Sequence, residues 1–64
     1  MNDGRVKIEF VEACMMFKER HSDRAKLVSH YLILDESEAI EVHYRDGSLS
    51  VYDPVNDMEI KVRD

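Results

Sequence analysis

The chain has 64 residues, 36% of them charged and 44% apolar, with one cysteine and a formal net charge of −5. That length holds one domain, residues 1–64, and buries only ~60% of the surface its unfolded form exposes. An internal disulfide is excluded, His21, His30 and His43 are too scattered for a structural zinc site, and no apolar run approaches the ~20 residues of a spanning helix. The stabilisers left to so small a chain are self-association or a protein partner. A lone Cys14 and the lack of a basic-then-apolar leader suit the reducing cytosol, so a cytoplasmic protein off the membrane is expected.

Val6, Ile8 and Phe10 alternate with Lys7 and Glu9, which predicts a short N-terminal strand. From Val11 onward good helix formers take over, with Phe10, Ala13, Cys14 and Phe17 at helical spacing. The alternative is one helix from about residue 4 to residue 20. Met15, Met16 and Phe17 are three consecutive large apolar residues that no single helix face can hold. They are the candidate oligomer interface, and a buried strand is the competing reading.

Lys18, Arg20, Arg24 and Lys26 place four cations within residues 18–26. They are the candidate nucleic-acid contacts of a dimeric phosphate binder. Against this stand Glu19 and Asp23 in the same stretch, the absence of interleaved aromatics, and the helix-dipole role cations play near a C-terminus. Ser22 or Asp23 suits the cap of a second helix with Ala25, Val28, Tyr31 and Leu32 as its stripe. Residues 27–34 are equally rich in strand formers, which leaves a mostly β barrel or sandwich as the alternative fold.

Glu41 to Asp53 holds an Asp46-Gly47 pair between alternating stretches. A two-residue loop there predicts that Tyr44 faces Leu49 and Val42 faces Val51. Ile40, Val42, Tyr44, Leu49 and Val51 then share an apolar face. Glu41, His43, Arg45, Ser48, Ser50 and Tyr52 share a wet one. Residues 53–57 are turn formers, and Met58, Ile60 and Val62 alternate with Glu59, Lys61 and Arg63 as a further strand. The expected architecture is α+β, with an N-terminal strand and helical region packed on a three-stranded antiparallel meander.

Residues 1–34 hold six Lys and Arg against five Asp and Glu, whereas residues 35–64 hold three against nine. The acidic half repels phosphates and favours basic partners, or it serves solubility. Glu36, Glu38, Glu41, His43, Arg45 and Tyr52 are the candidate protein-binding residues, Tyr and Arg being common binding hot spots. No enzyme is expected. Cys14 lies in an apolar context without a base, Glu36 and Glu38 fall in a turn, and Gly4 and Gly47 make no phosphate loop. No cofactor or metal is expected.

Small, acidic, cysteine-poor α+β chains are common among phage and prophage accessory proteins and bacterial regulators. The resemblance is one of composition and carries no residues. The function expected is a small cytosolic protein-binding regulator or inhibitor acting through the acidic sheet half. The alternatives are the dimeric nucleic-acid binder and a self-associating assembly subunit.

Overall fold

The computed structural model describes residues 8–34 and 38–64. Helix α1 (Phe10–Arg20) leads into a single turn, α2 (Ser22–Ala25), and then strands β1 (Val28–Ile33), β2 (Ile40–Tyr44), β3 (Leu49–Asp53) and β4 (Met58–Arg63). The strands form one antiparallel sheet in the order β1-β2-β3-β4, so each pairs with its neighbour in the chain. The fold is α+β, with four strands where three are expected.

α1 forms because Phe10, Ala13, Cys14 and Phe17 recur on one side, with Glu12 in its first turn and Lys18 and Arg20 in its last. The expected N-terminal strand is not found among the described residues. Val6 and Lys7 lie outside the described residues, Ile8 and Glu9 are irregular, and Phe10 is already helical. His21, at φ −131° and ψ 56°, breaks the helix while its amide still donates to Phe17 O at 2.8 Å. The second helix stops after one turn, because Val28 onward finds a better partner in the free edge of β2. Strand formers with a waiting row of unpaired amides become β1. Ser29 is skipped in the ladder, so Val28 pairs with Tyr44 and His30 with His43.

The β2–β3 hairpin departs from the expected register by one residue. Its loop has three residues, Arg45, Asp46 and Gly47, closed by Gly47 N to Tyr44 O and Tyr44 N to Ser48 O, both 3.0 Å. Only Gly47 has positive φ there, at +93°. This is a turn followed by a left-handed glycine, which adds one residue to the loop. Asp46 caps it, accepting from Ser48 N at 2.9 Å and Ser48 Oγ at 2.7 Å. The extra residue inverts β3 relative to the expectation. Val42 now pairs with Ser50 and Ile40 with Tyr52, so Ser50 and Tyr52 face the helix. Leu49 and Val51 face away with Glu41 and His43.

β4 follows β3. Tyr52 pairs with Glu59 and Val51 with Ile60, so Glu59 faces the helix and Met58 and Ile60 face away. The expected apolar face of Met58, Ile60 and Val62 is therefore on the uncovered side. The core lies between α1 and the sheet: Ala13, Cys14, Phe17, Val28, Ile40, Val42 and Tyr52 are buried. Phe17 is its centre, edge-on to Tyr52 at 5.0 Å and to Tyr31 at 6.0 Å between ring centroids.

Candidate functional site

The face of the sheet turned away from α1 has no cover among the described residues. Alternation places His30 and Leu32 of β1, Glu41 and His43 of β2, Leu49 and Val51 of β3, and Met58 and Ile60 of β4 on it. Val62 has no partner in the ladder, because Ser50 pairs with Lys61 and Leu49 with Arg63, so it sits in a bulge opposite Leu49. Exposure is 46% at Leu32, 53% at Met58, 57% at Ile60 and 58% at Val62. An open antiparallel face ordinarily carries polar residues. Here the middle of its β3–β4 half is apolar, with Asp53 and Arg63 at its ends, and such a patch makes the face a candidate binding surface.

The β1–β2 half is polar but internally paired. The His30 and His43 rings stack with centroids 4.5 Å apart and 14° between planes. His43 Nε2 donates to Glu41 Oε1 at 2.8 Å, and His30 Nδ1 shares a hydrogen bond with Ser29 Oγ at 3.1 Å. Arg45, at the hairpin end of the face, is exposed and has no side-chain partner among the described residues.

On the covered side, two arginines tie the helical arm to the sheet. Arg24 Nε lies 2.7 Å from Glu59 Oε1 and donates to Tyr44 Oη at 3.3 Å. The Tyr44 and Ser50 hydroxyls both donate to Glu59 Oε2. Burial pushes the Glu59 carboxyl upward, but hydrogen bonds from Ser50, Tyr44 and Arg24 outweigh it and hold the group below its ordinary value. Burial also raises the Tyr44 phenol, and its bond to Glu59 adds to the rise. Arg20 Nη1 donates to Pro54 O at 3.1 Å and Tyr52 Oη at 3.4 Å. Tyr52 Oη donates to Asp57 Oδ1 at 2.8 Å, and His21 Nε2 reaches the same oxygen at 2.9 Å. Those hydrogen bonds, His21 first and Tyr52 next, lower the Asp57 carboxyl.

A cleft of about 300 Å³ opens beside the first cluster, lined by Arg24, Leu27, Tyr44, Ser48, Ser50 and Lys61 among others. Its hydroxyl protons are engaged: Tyr44 and Ser50 donate to Glu59, and Ser48 donates to Asp46. No hydroxyl there is aimed at a free base, the arrangement nucleophilic catalysis requires.

The residues singled out from sequence are dispersed. Glu41 and His43 lie on the open face, and Arg45 stands at its end. Tyr52 does not join them: it is 0% exposed and faces Phe17, because the longer hairpin loop turns β3 over. Glu36 lies outside the described residues, and Glu38 Oε2 accepts from Ile8 N at 3.3 Å. Of the basic segment, Arg20 and Arg24 are bound into the sheet clusters, Lys18 Nζ lies 5.7 Å from the Tyr31 ring centroid, and Lys26 is exposed. The four cations thus form no common row. Of the proposed oligomer interface, Phe17 is wholly inside the core, Met16 is half-buried and Met15 is exposed. Phe17 is therefore unavailable to a partner, since one helical face already consumes it.

Sequence reasoning missed Leu32, Leu49, Val51, Met58, Ile60 and Val62 as a surface. The alternation along β3 and β4 was visible, but its side of the sheet depended on loop length, and Leu32 stood in a stretch that suits helix or strand. No group of three His, Cys, Asp or Glu among the described residues is arranged to hold a metal. Among them, too, no helix is long and apolar enough to cross a membrane. Comparison with protein-family models, curated proteins and solved structures returns no match for this chain.

Proposed function

We propose that this chain is a non-enzymatic partner-binding protein, a small cytosolic regulator or inhibitor whose working surface is the open face of the sheet. The observation that carries the reading is the half-exposure of Leu32, Met58, Ile60 and Val62 on one side of a sheet whose other side is packed. Burying such apolar area provides the driving force for association. Glu41, His43 and Arg45 border the patch and supply the polar rim that orients a partner.

The test is capture from source-cell lysate with tagged wild-type chain, with an Ile60→Lys variant and with nuclease treatment. A protein retained by the wild type after nuclease, and lost with Ile60→Lys, is the expected result. Equal capture by both chains refutes a role for this face. Recovery that disappears with nuclease transfers the function to nucleic acid.

A further inference from the structure

Resting on the reading of the open face as a binding surface, we infer that its occupant is a second copy of this chain, packed face to face as a two-layer sandwich of eight strands. Chemistry, charge and area each point there.

The chemistry is self-complementary. The apolar half, Leu49, Val51, Met58, Ile60 and Val62, lies on β3 and β4, and the paired polar half lies on β1 and β2. A two-fold axis running across the strands superposes β3 and β4 on the partner's β3 and β4. Apolar then meets apolar, as an isologous interface demands. Two sheets of like twist stack ~10 Å apart with strands about 30° askew, so neither copy has to deform.

Charge discriminates against a basic partner. Despite the net charge of −5, the described strand residues on this face carry two carboxylates, Glu41 and Asp53, each accepting hydrogen bonds from within the chain. Glu41 accepts from His43, and Asp53 accepts from Val55 N at 3.0 Å and Asn56 Nδ2 at 2.8 Å. The apolar side chains of Leu49, Val51, Met58, Ile60 and Val62 offer a cationic surface no acceptor, whereas a second copy meets them with the same apolar side chains. The same axis lays the Arg45 and Arg63 end of each copy over the Asp53 end of the other. Asp46, beside Arg45, is bound into its own turn.

Area sets the class of interface. Four strands spaced about 4.8 Å apart and five or six residues long give a flat footprint of roughly 350 Å² per copy. Side-chain relief brings the two copies to the order of 1,000 Å² in total, the lower bound for a specific interface. An interface at that bound belongs to the weak, transient class, so dimerisation is expected at micromolar concentrations, and a single charge placed in its centre should disrupt it.

Sedimentation velocity across a concentration series tests this on the full chain. Wild type is expected to dimerise in the micromolar range. Val51→Lys and Ile60→Lys should each weaken it by about a hundredfold, since a lysine at the centre is buried without a partner. Val11→Lys, on the exposed side of α1, should leave it unchanged. Because a lysine variant that loses its far-UV circular dichroism would say nothing, isotope-filtered NOEs on mixed labelled and unlabelled wild type provide the second reading. Cross-copy contacts between Val51 and Ile60 methyls are expected. A wild type that is monomeric at high micromolar concentration overturns the dimer, as does a dimer that ignores both face variants or one broken by Val11→Lys. The partner-binding reading stands or falls separately, on whether lysate capture is lost with Ile60→Lys.

Discussion

Replacing Glu59 with Ala removes the acceptor that Tyr44, Ser50 and Arg24 share. The Glu59 side chain is only 10% exposed, and Ser50 is 2% exposed, so water does not readily replace the lost carboxylate. A hydrogen bond to a charged group is worth ~1.5–3 kcal/mol, and two hydroxyls each lose one. The Arg24 side chain, 52% exposed, turns to solvent, and its ion pair contributes ~1 kcal/mol or less. Allowing for relaxation around the gap, Glu59→Ala should cost about 3 kcal/mol. A domain of this length has a total stability of ~3–10 kcal/mol, so the loss is a large fraction of it. Glu59→Gln retains an acceptor of the same shape and should cost less, about 1–2 kcal/mol. Urea denaturation followed by circular dichroism measures both, and an unchanged m-value confirms that the same surface unfolds. A double-mutant cycle of Glu59→Ala with Tyr44→Phe should show the two losses to be strongly non-additive. A loss below ~1 kcal/mol for Glu59→Ala at constant m would refute the idea that this cluster holds the helical arm to the sheet.

Acid should destabilise the fold through Glu59 and Asp57, whose carboxyls both lie below their ordinary values when folded. Their stabilisation is complete above the unfolded values, near pH 4, and is lost as the pH falls through the folded ones. Unfolding free energies across roughly pH 2–7 should fall on the acid side, less steeply in Glu59→Gln; a rise on acidification contradicts the assignment. Gly47→Ala should cost ~1–2 kcal/mol from backbone strain alone, since an added Cβ meets nothing within 4 Å, and Gly47→Asn should cost less. Thermal melts that rank Asn below Ala would count against the left-handed turn. Tyr31→Phe should be neutral or stabilising by up to ~1 kcal/mol, because Tyr31 Oη is buried with no partner among the described residues. A clear loss in its melt would mean that the hydroxyl is satisfied in solution.

The hairpin and the following strand were legible because Asp46-Gly47 and residues 53–57 carry their own turn chemistry. The register was not. A glycine placed second in a two-residue loop and one placed third in a three-residue loop look alike in sequence, yet they present opposite faces of β3. Binary patterning then favoured the wrong face by treating Ser50 and Tyr52 as polar. Tyr52 is mostly an apolar ring whose hydroxyl escapes to Arg20 and Asp57, and Ser50 has Glu59 as its buried acceptor. β1 was ambiguous because Val28 to Ile33 suits either helix or strand, and only the open edge of β2, a tertiary fact, decides. Arg20 and Arg24 read as a basic patch because their acceptors lie 20 or more residues away. The candidate site inherits the register error: Leu49 and Val51 read as core under one loop length and as surface under the other, and Met58, Ile60 and Val62 go with them.

The neighbour-to-neighbour order of the strands also bears on how the chain reaches this state. Every ladder in the sheet closes a short stretch of chain, so the meander forms from near contacts. The hydrogen bonds of Arg20 and His21 from the helical arm span 32 to 36 residues. Such distant closures carry the greater loop entropy and come after the nearer ones have formed. The arm therefore docks on a sheet already assembled. Weakening Arg20 or Asp57 should quicken release of the folded chain while leaving its rate of formation almost untouched. The Arg20 clamp acts as a late latch, setting how long the structure persists once it is made.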